Sequence, residues 1–370
     1  LVEVFLDDFR GLVVLGIAIG LEPFVELGGR FALQDIDVKR PDDVTGDHND
    51  AWVCTGTTGG DSPSIEAILV GTREGKAATT SIGIVADPKF HAYEDFNNLD
   101  KAYRWIEKNE PLAFEKLDRA TNKVIDFKRF KNYSYDSKQF YSTDKWGLVG
   151  EAGAFLDPFY SPGTDFIALS NTWVSDLIIR DFKDEDIYTR TIVYDKVHAQ
   201  IFKNWTPIYQ DKYALFGNAQ VMGVKITWDF GVYWGIPCLL ATNNGFTNMK
   251  ILKEIFTTKN SFGDRFGKLN KQVQDFYLEW GELEANPCSN SYLDPMDIPF
   301  LKDLQIGLEA IHGTEELLVA QLEKNLSTLE KMAAEVFRTV STKLLETPKD
   351  MPVNPYTMSL KKTKEELLEL

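Results

Sequence analysis

Residues 146–164 read Trp-Gly-Leu-Val-Gly-Glu-Ala-Gly-Ala-Phe-Leu-Asp-Pro-Phe-Tyr-Ser-Pro-Gly-Thr and hold the residue types and spacing best suited to chemistry. The order predicts a buried strand from Trp146 to Val149, a turn at Gly150-Glu151-Ala152 and an irregular loop through Asp157-Pro158. A Ser161-Pro162-Gly163 corner follows, and then a helix from Asp165 to about Asp181. Phe166, Leu169, Trp173, Leu177 and Ile178 recur at the spacing of one buried helical face. A glycine corner that opens a helix lets a ligand approach the backbone, and the unpaired N–H groups of the first turn favour negative charge there. The pyrimidine edge of a flavin, which becomes anionic on reduction, is a ligand of that kind.

The elements that position this loop are read from pattern. Thr80 to Val85 alternates and is β-branched, as in a strand ending at Asp87-Pro88. Residues 98–109 have helical spacing, with Pro111 as the stop. Residues 123–141, rich in aromatics and Lys, read as strands that pack on the helix after the corner. Beyond Asp184 the pattern is helical: one helix over 188–213 interrupted near Pro207, and one over 218–235 whose Trp228, Tyr233 and Trp234 read as core. Leu318, Leu322, Leu326, Leu329, Ala333, Val336, Val340 and Leu344 predict a long amphipathic helix stopped by Pro348. The charged tail, 361–370, is expected to fray. Residues 1–78 carry two turn-rich loops, at 41–50 and 55–63. The second is rich in Gly and Thr but lacks the Lys-Ser/Thr of a phosphate-binding loop.

Composition excludes several classes. The 370 residues suffice for a large core, with 44% hydrophobic and 26% charged residues. A net charge of −16 argues against sequence-independent nucleic-acid binding. The apolar run at 11–21 is shorter than the roughly 18 residues of a membrane span. Acidic Glu3, Asp7 and Asp8 before it have the wrong sign for a signal peptide. Cys54, Cys238 and Cys288 stand far apart with no CxxC pair, which fits the cytoplasm. His48, His91, His198 and His312 form no metal-binding cluster, so no metal is expected.

The loop resembles the second flavin motif of the FAD-dependent halogenases and related flavin monooxygenases. In that superfamily a strand is followed by Gly-Asp-Ala, an Asp-Pro loop and a Gly at a helix start. Here Gly150-Glu151-Ala152, Asp157-Pro158 and Gly163 stand in that order. The likeness extends through Asn171 and Arg180-Asp181, and more weakly over Thr79 to Pro88, Tyr133 to Tyr135 and Trp228 to Gly235.

The resemblance implies an α+β fold, the back half of a monooxygenase/halogenase-type architecture, with a mixed sheet packed by helices. Residues 1–185 would form a partial FAD- and substrate-binding domain and 186–370 a helical C-terminal region. It implies FAD contacts at Gly150, Glu151, Asp157, Pro158, Gly163 and Thr164, and halide contacts at Ser161 and Gly163. It implies FAD reduced by a separate flavin reductase, then reaction with oxygen to halogenate or hydroxylate a small-molecule or carrier-bound aromatic substrate. Two other readings stand beside it: a degenerate relative without flavin, acting as a binding or structural module, and a reductase of the geranylgeranyl type.

The sequence departs from the family at several points. Tyr160 stands where tryptophan halogenases carry a catalytic Glu, and Pro162 supplies no N–H for chloride. The Trp-x-Trp-x-Ile-Pro signature has no counterpart before Thr79, where residues 65–77 read Ile-Glu-Ala-Ile-Leu-Val-Gly-Thr-Arg-Glu-Gly-Lys-Ala. Nothing supports Lys76 as the family's essential lysine, and no catalytic residue is assigned. Gly16 and Gly20 lack the spacing of Gly-x-Gly-x-x-Gly. With a first residue Leu1, the expectation is a fragment whose ADP-binding portion lies upstream or has been lost.

Overall fold

The computed structural model describes residues 52–56, 65–71, 80–114, 124, 127–131, 134–256, 260–287, 294, 297–308 and 314–368. The run at 11–21, the polar loop at 41–50, Lys76, His48, Cys288, Tyr133 and His312 lie outside them.

Strands β1 (Trp52–Gly56), β2 (Ile65–Gly71) and β3 (Thr80–Ile82) form one antiparallel sheet in the order β1-β2-β3. Leu69 is the shared register position, opposite Trp52 on one side and Ile82 on the other. Every strand pair among the described residues is antiparallel, so the expected mixing with parallel strands is not seen among them. Helix α1 (Leu99–Asn109) starts at Asn98, whose side chain accepts from the Lys101 N–H, and ends ahead of Pro111 as read. Tyr103, Trp105 and Ile106 are buried. Trp105 meets His91 and Phe96 edge-on, with centroids 5.1 and 5.7 Å apart.

The rest is mainly helical. A two-stranded ribbon, β4 (Tyr141–Ser142) and β5 (Trp146–Gly147), precedes α2 (Pro162–Asp181) and α3 (Tyr188–Tyr209). Then come α4 (Ala219–Tyr233), α5 (Met249–Phe256), α6 (Phe262–Leu283), α7 (Pro299–Leu308), α8 (Glu315–Leu345) and α9 (Lys364–Leu368). One continuous core runs from Phe140 through α2, α3, α4, α6 and α8 to Leu367. Trp173 and Trp228 are fully enclosed in it, and their ring N–H groups donate to the Phe246 carbonyl at 2.7 Å and the Asn270 side chain at 3.0 Å. Trp173, Trp228 and Trp234 are core, as read, whereas Tyr233 is half-buried. The α8 stripe is also as read, with Leu318, Leu322, Leu326, Leu329, Ala333 and Val340 buried. No helix among the described residues is long and apolar enough to cross a membrane. Likewise, no group of three or more His, Cys, Asp or Glu among them is placed to hold a metal ion.

Several elements differ from expectation for identifiable reasons. The described part of 123–141 is mostly irregular, with one bridge between Tyr135 and Phe155 before the short β4. The N–H groups of Phe140 and Tyr141 go to the Asp195 carboxylate, at 2.7 and 3.1 Å, so neither donor is left for a second strand and the ladder stays limited to the short β4–β5 pairing. Helix α3 passes through Pro207 and ends at Tyr209, because a proline in the last turn forfeits only one hydrogen bond. Pro237 instead falls in a π-helical turn, Trp234–Cys238. There the Gly235 carbonyl accepts from Asn325 of α8 at 2.7 Å. The described part of the charged tail, 361–368, is held rather than frayed. Thr363 and Glu366 form a reciprocal capping box, at 2.7 and 3.2 Å, and Leu367 is buried.

Candidate functional site

The corner is built by docking a turn onto one side of α2 and a strap onto α4. Trp146 and Val149 are 45% and 39% exposed, so the expected buried strand is an exposed two-residue ribbon edge. A two-residue strand has too little neighbouring sheet to cover both faces, and burial begins at the next residue, Gly150. This glycine has φ +52° and opens a 3₁₀ turn, Gly150–Ala152. Its N–H donates to the Ser170 hydroxyl at 2.8 Å, and that hydroxyl in turn donates to the Phe166 carbonyl at 2.6 Å. A Cβ at Gly150 would lie 2.6 Å from Ile167 Cγ1. The turn therefore packs directly on α2, which only glycine allows.

The strap from Gly153 to Ser161 is fixed at both ends. Tyr135 and Phe155 exchange backbone hydrogen bonds at 2.9 and 3.0 Å, and the Tyr135 hydroxyl donates to the Glu151 carbonyl. Asp157 accepts from the Phe159 N–H at 2.9 Å and from the Tyr213 hydroxyl at 2.8 Å. Burial nonetheless pushes its carboxyl up to about 6. The Pro158 carbonyl accepts from the Ser161 N–H at 2.9 Å, closing a turn. Within it Tyr160 and Ser161 both take left-handed conformations, φ 63° and 54°. For non-glycine residues these cost about 1–2 kcal/mol each. The Tyr160 hydroxyl reaches Asp229 of α4 at 3.1 Å.

Helix α2 starts at Pro162, three residues before the expected Asp165, with proline in the first turn where its missing N–H is least felt. Ser161 is the N-cap residue, but its left-handed backbone prevents its hydroxyl from capping. The Thr164 N–H turns back to the Ser161 carbonyl at 3.1 Å. A Cβ on Gly163 would stand 3.4 Å from Glu151 Oε1 and 3.8 Å from Phe155, so this glycine has room for a side chain. Glu151 thus faces the start of α2, where a carboxylate is favourably placed, while burial raises its pKa. Ile178, expected on the buried face, is exposed, whereas Phe166, Leu169 and Trp173 are buried. Asp165 in the first turn accepts from the Tyr233 hydroxyl at 2.9 Å. It lies among Leu169, Trp205, Pro237, Cys238 and Phe246, and burial pushes its carboxyl up to about 7.

The structure thus brings together Gly150, Glu151, Gly163 and Thr164 at the start of α2. Asp157 and Pro158 form the strap beside them, and Ser161 joins the two. Sequence reading missed Ser170, on α2 itself, and Tyr213, Lys225, Asp229 and Gln274, which hold this region from farther along the chain. Lys225 and Asp229 did leave a signal, since they are the only charges in the otherwise apolar stretch 221–236 and stand one helical turn apart.

The glycine at the start of α2 is thus backed by the Gly150 turn and flanked by Glu151 and Asp157, carboxyls whose pKa values burial raises. Relatives agree in class: the chain is similar to the flavin-dependent halogenases. It is 27% identical over 169 residues to a flavin-dependent halogenase of Dictyostelium discoideum, covering 45% of this chain and 28% of that protein. It is 28% identical over 116 residues to a 1H-pyrrole-2-carbonyl-[peptidyl-carrier protein] brominase of Pseudoalteromonas luteoviolacea, covering 31% of this chain and 28% of the relative. A 1H-pyrrole-2-carbonyl-[peptidyl-carrier protein] chlorinase of Pseudomonas fluorescens is 27% identical over 127 residues, covering 34% and 28%. The matched part is thus little more than a quarter of each relative's length. No family model and no solved structure matches the chain.

Proposed function

We propose that this chain is part of an FAD-dependent oxidoreductase of the halogenase or monooxygenase type. It would use reduced flavin and oxygen to halogenate or hydroxylate an organic substrate. Carrying this reading is the Gly150–Ala152 turn locked on α2 with an uncrowded Gly163 at the helix start, in a chain similar to flavin-dependent halogenases. What supports a flavin here is that a Cβ at Gly163 meets only ordinary contacts and that a helix start favours negative charge, although the Thr164 N–H is already turned to the Ser161 carbonyl. Gly150, Glu151, Gly163 and Thr164 would border the ring edge, and Asp157 and Pro158 the strap beside it. When bound, the flavin supplies the two-electron chemistry with oxygen. The protein's part is to place donors at the ring edge and keep that edge rigid, beside the Glu151 and Asp165 carboxyls whose pKa values burial raises.

In this reading residues 1–185 contribute the FAD and substrate side and 186–370 the helical support, and a separate flavin reductase delivers electrons in the cytoplasm. Two of the relatives are named for a pyrrole carried on a peptidyl-carrier protein, which favours a carrier-bound or small aromatic substrate here. A second reading, a relative that binds no flavin, is favoured by Glu151 standing at the corner and by Tyr160 being tied to Asp229. Halide contacts at Ser161 and Gly163 also lack a donor at Pro162. Incubation with FAD, a flavin reductase, NADH, halide and a carrier-bound pyrrole, read by mass spectrometry, separates the two. Replacement of hydrogen by halogen or hydroxyl on the pyrrole is expected. NADH consumption that yields only hydrogen peroxide would contradict the enzymatic reading.

A further inference from the structure

Lys225 and Asp229 stand four residues apart on α4, with side chains 0% and 5% exposed and Nζ 2.5 Å from Oδ2. Asp229 accepts two further hydrogen bonds, from Gln274 of α6 at 2.7 Å and from the Tyr160 hydroxyl at 3.1 Å. The Lys225 ammonium also lies 5.9 Å from the centre of the Tyr160 ring. A buried ion pair is a poor source of net stability, because desolvation offsets most of the attraction. What it does provide is direction, an acceptor fixed at one place by two other partners. The acceptor is aimed at the residue whose backbone most needs holding, since Tyr160 is the first of two successive left-handed, non-glycine residues before α2. Tyr213 holds the other end of the same strap through Asp157.

We propose that Lys225 and Asp229 are positioning residues for the corner at the start of α2. Asp229 anchors the Tyr160 hydroxyl, Lys225 orients Asp229, and together they keep Tyr160 and Ser161 in the left-handed conformation from which α2 departs. The effect on ligand binding rests on the flavin reading above; the effect on the corner's shape does not. Two variants separate the anchor from general stability. Tyr160→Phe removes only the hydroxyl. The double variant Lys225→Met with Asp229→Leu removes both charges at similar volume, a replacement that can leave stability intact. Hydrogen exchange is read at the amides of Tyr160, Ser161, Gly163 and Thr164, with those of α6 as the internal control, and FAD affinity is measured in parallel.

Both variants are expected to speed exchange at the corner by roughly tenfold, the scale of one hydrogen bond to a charged group, and to leave α6 unchanged. FAD affinity should fall by roughly the same factor. Unchanged exchange at the corner in either variant would overturn the proposal. So would unchanged FAD affinity in variants of a parent chain that binds FAD. A parent that binds no FAD would count against the flavin reading, while the exchange result would still decide the role of the pair.

Discussion

Asp165 carries its carboxyl in the first turn of α2 among Leu169, Trp205, Pro237 and Phe246, with the Tyr233 hydroxyl as its hydrogen-bond donor. Burial raises its folded-state pKa to about 7, against about 3.9 in an unfolded chain. Between those values the folded protein keeps a proton that the unfolded chain has lost. Asp165 therefore favours folding most below pH ~4, and that advantage is lost as pH rises to about 7. Asp165→Asn keeps an acceptor for Tyr233 without the charge. In urea melts the variant should be more stable than the parent at pH 8, by on the order of 4 kcal/mol, with no difference near pH 4. Equal gains at both pH values would show that Asp165 is not the group responsible. His198 works in the opposite direction, since burial against Phe140 and Phe166 lowers it to about 3. Its contribution is complete above pH ~6.5 and is lost as pH falls toward 3, so only the difference between variant and parent isolates Asp165. At this scale the sequence revealed the corner, because Gly150, Asp157 and Gly163 lie within one short segment. Ser170, Lys225 and Asp229 were not legible as its supports, since they reach it only through the packing of α2 and α4.

The turn at Gly150 and the start of α2 behave as one element. Gly150 meets Ile167 at a distance no Cβ tolerates and has a left-handed backbone, while Gly163 has space around it. Gly150→Ala is expected to destabilise by about 2–4 kcal/mol, combining steric overlap with backbone strain. Gly163→Ala should change stability by less than about 1 kcal/mol. Paired denaturation curves test this, and equal losses would contradict the packing described. Helices were the most legible elements, because apolar spacing survives in sequence, as in α1 and α8. Strands were the least legible. Whether Trp146 or Tyr135 is covered depends on a neighbouring sheet that local alternation does not specify. Pro111 was legible as a stop, whereas Pro207, read as an interruption, is absorbed by a helix end. The tail was misread because its charge was weighed above the Thr363-x-x-Glu366 capping signal.

On the scale of the whole molecule, one aromatic-rich core ties the corner to every long helix that follows it. Buried polar side chains at the helix contacts, Asn270, Gln274 and Asn325, each have a hydrogen-bond partner. Under the proposed flavin reading, a corner held from α2, α4 and α6 would need little reordering on binding. The net charge of −16 leaves polyanions as unfavourable partners. The central claim is that the start of α2 borders a flavin, and a fluorescence titration of the chain with FAD, repeated on Gly163→Ala and Gly163→Val, tests it most directly. Because a Cβ at Gly163 meets nothing closer than 3.4 Å, both variants should fold like the parent. The account predicts saturable quenching by the parent, weaker binding with alanine and loss of binding with valine. No saturable binding by the parent, or equal binding by all three, would contradict it.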